Sequence, residues 1–130
     1  LDILSANQKG FFIMVEGGQI DSAGHANDTP NSVKQTLDFD AAIAEALDFA
    51  RKRGDTLVIV TADHETGGLA IVGPASGTTA PFGTVWATKG HTATVVPLLA
   101  DGPGAELFSG VLDNTDIPKR IARLWRAKLD

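Results

Sequence analysis

The stretch Thr56-Leu57-Val58-Ile59-Val60-Thr61-Ala62-Asp63-His64 decides the fold. Its first six residues are nearly all branched and apolar, the pattern of a strand covered on both faces in a parallel sheet. Ahead of it, residues 30–53 place Val33, Leu37, Ala41, Ala44 and Leu47 along one stripe, widened by Phe39, Ile43 and Ala50. Lys34, Asp38, Glu45, Asp48 and Lys52 fall on the other side, so the periodicity predicts an amphipathic helix. Thr29-Pro30 is expected to start it, Gly54 to stop it, and Lys34/Asp38 and Asp48/Lys52 to pair one turn apart. Further upstream, Gly10-Phe11-Phe12-Ile13-Met14-Val15-Glu16, closed by Gly17-Gly18, reads as a buried strand. Strand, helix and strand make a right-handed βαβ unit, and the expected fold class is α/β with a central, largely parallel sheet flanked by helices. Glu16 and Asp63-His64 then fall at carboxyl ends of strands, where such sheets place their sites.

The remaining segments are shorter. Residues 21–29 are small and polar and read as a loop. Leu69-Ala70-Ile71-Val72 is a short apolar run, residues 73–83 have loop composition, and Val85-Trp86-Ala87 reads as an edge strand. Residues 92–100 read as a strand in which Pro97 requires an edge or a bulge. After the turn Asp101-Gly102-Pro103-Gly104, residues 105–108 suit one helical turn. Residues 117–128 suit a terminal helix that starts near Thr115 and buries Ile117, Ile121, Leu124 and Trp125. No repeat or linker divides the chain.

Composition narrows the partners. A net charge of -5 over 130 residues argues against nucleic acid or an anionic membrane as a partner. No apolar run is long enough to span a bilayer. The absence of cysteine excludes disulfides and thiolate zinc sites. The chain starts at Leu1 without a methionine or export signal and is expected to be a processed, cut or cloned piece.

All three histidines sit beside other metal-binding residue types: Asp21-x-x-x-His25, Asp63-His64, and Gly90-His91-Thr92. With Glu16 they make three imidazoles and three carboxylates, the ligand types of a hydrolytic zinc centre with room for a harder ion. Each piece alone also has an ordinary explanation as a surface or hydrogen-bonded residue. The Asp21/His25 spacing fixes no common face in a loop, whereas adjacent residues such as Asp63 and His64 can both bend toward one ion. From the residues alone, a metal site and coincidence both stay open.

Three boxes resemble the metal-ligand boxes of the alkaline phosphatases: residues 15–28 (Val15-Glu16 through Asp21, His25 and Asp28), residues 61–68 (Thr61-Ala62-Asp63-His64-Glu65-Thr66-Gly67-Gly68), and residues 90–92 (Gly90-His91-Thr92). Residues 113–116 and the helix after them are similar to that family's C-terminal end. The resemblance implies that Asp21, His25 and His91 ligate a first zinc, that Asp63 and His64 contribute to a second zinc, and that Glu16 binds magnesium. It implies phosphate monoester hydrolysis through a serine nucleophile, and a periplasmic or secreted location.

The family's nucleophile box, bridging aspartate and phosphate-clamping arginine have no match here. Asp21-Ser22-Ala23-Gly24 imitates the nucleophile box, but His25 stands where that box carries Thr or Ser, and Ser22 is expected to be a loop residue. The arginines fall on helices as solvated charges. Residues 1–130 are therefore expected to be the C-terminal portion of an alkaline phosphatase catalytic domain, inactive or nearly so alone, with an exposed sheet edge that favours homo-oligomers. The alternative is a non-catalytic metal-binding or assembly domain of the same fold. Glu65 is expected to hold a turn, Trp86 to pack, and Lys89 to be solvated.

Overall fold

The computed structural model describes residues 1–74, 76–77 and 79–128, so positions 75 and 78 of the expected 73–83 loop lie outside the described residues. Helices α1 (Asp2–Ser5), α2 (Gln19–Ala26) and α3 (Thr29–Arg53) are followed by strands β1 (Val58–Thr61), β2 (Glu65–Thr66), β3 (Leu69–Val72), β4 (Gly83–Trp86), β5 (His91–Thr92) and β6 (Leu98–Asp101). A 3-10 turn (Ala105–Phe108) and helix α4 (Asp116–Leu124) complete the order. The chain divides into two units, Leu1–Ala42 with His64–Thr94, and Ile43–Asp63 with the residues from Val95 onward.

In the first unit, β3 and β4 pair antiparallel with Leu69 opposite Trp86, and β2 pairs antiparallel with β5 through Glu65–Thr92 and Thr66–His91. In the second, β1 pairs antiparallel with β6 from Val58–Asp101 to Thr61–Leu98. Among the described residues every ladder is two-stranded and antiparallel, in place of the expected central parallel sheet. Residues 11–16 join no ladder, and Phe12 and Met14 are 63% and 80% exposed. An apolar segment is a strand only where it joins a ladder, and among the described residues this one joins none.

The helix limits also differ from expectation, each for a local reason. Residues 21–26 belong to α2 and not to a loop: Asn27, left-handed at φ 56°, closes the helix as Asp28 N–H donates to Ala23 O at 2.9 Å and Asn27 N–H to Gly24 O at 3.0 Å. Helix α3 is capped one residue earlier than expected, by Asp28 Oδ1 accepting from Asn31 N–H at 3.1 Å. That frees the Thr29 hydroxyl to accept from Trp86 Nε1–H at 2.9 Å. Gly54, at φ 73°, stops the helix as expected, and Lys34–Asp38 and Lys52–Asp48 pair at 2.5 and 2.6 Å. The expected strand over 92–100 is interrupted: residues 93–97 leave the ladder, and Pro97, which has no N–H to give, accepts from the Thr61 hydroxyl at 3.1 Å. Helix α4 ends at Leu124, and Leu124 and Trp125 are exposed rather than buried.

Apolar burial is thin. Among the described residues the buried hydrophobics are Ala23, Ala50, Phe108 and Ala122, and no large side chain is fully covered. The chain exposes 9550 Å², against about 6,600 Å² for a folded monomer of its mass. Val33 and Leu37, on the expected apolar stripe of α3, stand in solvent.

Candidate metal centre

The centre is built within the first unit. Because α2 is helical, Asp21 and His25 lie one turn apart on one face, and His25 Nε2 comes 3.3 Å from Asp21 Oδ2. The β2–β5 ladder brings in the other side: Thr66 is paired with His91, whose Nε2 lies 3.6 Å from Asp21 Oδ1 and 3.1 Å from His25 Nε2. His64 stacks on His91 with ring centroids 3.5 Å apart, and ligand atoms of Asp21, His64 and His91 all fall within 4.8 Å of one another.

Small residues permit this approach. Gly24 of α2 is buried against Thr66, where a Cβ would lie 3.0 Å from Thr66 backbone and side-chain atoms. Gly67, at φ 91°, passes under Trp86 so closely that a Cβ would lie 2.4 Å from the indole. Its N–H donates to Gly90 O at 2.9 Å and its carbonyl accepts from Ala87 N–H at 3.0 Å, which fixes the approach to His91. Trp86 is thus a packing residue, as expected. Glu65 holds the turn, accepting from Gly68 N–H at 2.9 Å and from the Thr92 hydroxyl at 2.5 Å.

Hydrogen bonds set the imidazole tautomers. His25 Nδ1 lies 2.6 Å from the Lys89 carbonyl, which only accepts, so Nδ1 carries the proton and Nε2 presents its lone pair toward Asp21 and His91. With its amide turned so that Nδ2 faces that carbonyl, Asn27 donates to Thr88 O at 2.8 Å in the same loop. The Thr66 hydroxyl donates to Asp21 Oδ1 at 2.6 Å. That bond is the main cause holding the Asp21 carboxyl below its ordinary value; burial opposes it, and the nearby imidazoles of His25, His91 and His64 add to it.

This donor set fits a zinc-type cation. A tetrahedral zinc with bonds of about 2.0–2.1 Å holds its ligand atoms roughly 3.3 Å apart. The two imidazole nitrogens lie 3.1 Å apart and face different oxygens of the Asp21 carboxylate, His25 Nε2 reaching Oδ2 at 3.3 Å and His91 Nε2 reaching Oδ1 at 3.6 Å. The His25 lone pair, His91 Nε2 and the Asp21 carboxylate, brought this close, suit a positive charge between them. With side chains 40–49% exposed, the group is also open to solvent.

Glu16 is not drawn into this cluster; it is exposed, and its carboxylate lies over Gly18. Asp63 is the exposed residue before His64 and falls in the second unit. Ser22 is exposed on α2 with its hydroxyl 3.5 Å from Gly18 O. Thr66 and the Lys89 carbonyl escaped the sequence reading. The first carries no chemistry of its own until the fold sets it between ligands, and a backbone carbonyl leaves no mark in sequence.

Comparison with known proteins agrees with the boxes. The profile of the family described as Alkaline phosphatase matches residues 1–85. Alkaline phosphatase of Escherichia coli is 38% identical over 133 residues, covering 90% of this chain and 28% of that protein. Alkaline phosphatase 4 of Bacillus subtilis is 30% identical over 192 residues, covering 97% and 42%. The structure of alkaline phosphatase from the Antarctic bacterium TAB5 superposes with a TM-score of 0.91 at 41% identity, covering 98% of this chain and 39% of that one. The chain therefore spans well under half the length of these relatives and shares their fold over nearly all of its own residues. It belongs to the alkaline phosphatase family.

Proposed function

We propose that the chain is the C-terminal portion of an alkaline phosphatase catalytic domain and supplies metal ligands for phosphate monoester hydrolysis. The observation that carries this is the convergence of the His25 and His91 imidazoles on the Asp21 carboxylate, with closest approaches of 3.1, 3.3 and 3.6 Å among the three side chains. In this proposal those three hold a first zinc, Asp63 and His64 are the chain's share of a second, and Glu16 is a magnesium ligand. A variant of the TAB5 enzyme is solved with magnesium bound in its M3 site, which supports the third position.

Bound divalent cations would supply positive charge for phosphoryl oxygens and an acidified water. The chain's own residues prepare for that chemistry. The Thr66 hydrogen bond favours the ionised form of Asp21, and the Lys89 carbonyl accepts from His25 Nδ1–H, which leaves Nε2 as the nitrogen facing Asp21. The glycine approaches at positions 24 and 67 hold the two sides at ligand distance.

The nucleophile, the bridging aspartate and the phosphate-clamping arginine belong, on this proposal, to the rest of the catalytic domain. The strands that complete a central, largely parallel sheet around residues 10–16 and β1 belong there too. The large exposed apolar area supports that incompleteness, and copies of the isolated chain would pair through it; size-exclusion chromatography giving only monomer would count against the pairing. A periplasmic or secreted location follows from the family resemblance. Among the described residues no helix is long and apolar enough to cross a membrane.

The test is p-nitrophenyl phosphate turnover with zinc and magnesium, on these 130 residues and on the same chain joined to the N-terminal part of a relative. Turnover is expected only from the joined protein. Robust turnover by the 130 residues would overturn the assignment of the nucleophile elsewhere, and zinc binding without turnover in the joined protein would favour the non-catalytic alternative.

A further inference from the structure

Between two of the candidate ligands stands one hydroxyl. Thr66 Oγ1 lies 2.6 Å from Asp21 Oδ1 and 3.2 Å from His64 Nδ1. A threonine hydroxyl has one proton to give and lone pairs to receive. Asp21, an ionised carboxylate, only accepts, so the Thr66 proton is committed to it. The contact with His64 must then run the other way, with Nδ1–H donating to Oγ1. His64 is thereby fixed in the tautomer that carries its lone pair on Nε2, the same state that the Lys89 carbonyl imposes on His25.

Thr66 is itself held. It sits in β2 opposite His91, and Gly24 packs against its Cβ and Cγ2 at distances that leave no room for a larger neighbour. Its rotamer, and so the aim of its hydroxyl, is fixed by packing on one side and by Asp21 on the other.

We propose that Thr66 is a positioning residue that couples the two zinc sites: one hydroxyl orients Asp21 for the first metal and sets the ligating tautomer of His64 for the second. The proposal rests on the assignment of Asp21 and His64 as metal ligands. Outer partners of this type affect metal affinity by roughly 10- to 100-fold. Thr66→Val keeps the shape that packs on Gly24 and removes both hydrogen bonds, whereas Thr66→Ser keeps the hydroxyl.

Two measurements on the full chain test it. Long-range proton–nitrogen correlation spectra of the metal-free protein report each imidazole tautomer. His64 is expected in the Nδ1–H form in the wild type and in Thr66→Ser, and as an exchanging mixture in Thr66→Val, with His25 unchanged. Calorimetric zinc titration should show Thr66→Val weakened about tenfold or more and Thr66→Ser close to wild type. A wild-type His64 in the Nε2–H form, or a Thr66→Val affinity equal to wild type, overturns the proposal. The tautomer spectra need no metal, so they decide the role of Thr66 even if the wild type binds no zinc. That last outcome would sink the metal assignment instead.

Discussion

The two units of the chain hold themselves together by different means. The first is organised by polar contacts and close backbone approaches: Asp21, Thr66 and His64 in a line, Glu65 across its turn, and glycines at 24 and 67 where no side chain fits. The second relies on ordinary packing. Phe108 is only 3% exposed, Ala122 of α4 is buried, Gly104 nests against Leu124, and Arg120 donates to the Leu107 carbonyl. The division is one of degree, since both units leave apolar side chains in solvent, Phe12 and Met14 in the first and Val95 and Val111 in the second.

Substitutions should separate the two. Phe108→Ala removes a large buried side chain and should cost the second unit about 4 kcal/mol, read as lost amide protection around β6 and α4 while the imidazole spectra of the first unit stay as they were. Equal loss at His25 and His91 would erase the distinction. Gly67→Ala should do the reverse. A Cβ placed against Trp86 at positive φ should cost about 3 kcal/mol, exposing the Ala87 and Thr88 amides and weakening zinc binding. Retained affinity would show that the close approach is dispensable.

Glu65→Gln is subtler, because an amide keeps one acceptor but loses charge. It should cost about 1 kcal/mol, seen as faster exchange of the Gly68 amide with little change in the second unit. The smallest effect is electrostatic. The Thr115 backbone N–H and hydroxyl hold the Asp113 carboxyl below its ordinary value. Its contribution is therefore present above the unfolded carboxylate pKa and lost as pH falls through the lower folded value. The start of α4 should fray only in that acid range, and Asp113→Asn should remove the pH dependence of Thr115 amide exchange.

The residues that the structure brings together, Asp21, His25, His64 and His91, stood out in sequence because their types and spacing are unusual together, and the C-terminal limit of α3 because Gly54 marks it. Helix α2 was not legible: Ser22, Gly24 and Asn27 carry turn composition, and only the left-handed closure at Asn27 makes a helix of it. The run Val58–Thr61 reads as a strand with neighbours on both sides, yet β6 is its one partner among the described residues. Pattern reports what a strand is suited to bury and not what lies beside it. Thr66 was invisible for a related reason, since its partner Asp21 is 45 positions away and nothing local announces the contact.

The central claim is that Asp21, His25 and His91 converge on one divalent cation. Zinc K-edge X-ray absorption on the full chain with one equivalent of zinc tests it most directly. The expected spectrum is a four-coordinate nitrogen and oxygen shell at about 2.0–2.1 Å with outer scattering from two imidazoles, and one imidazole fewer in His91→Ala. An all-oxygen shell without imidazole scattering, or a spectrum unchanged by that substitution, would contradict it.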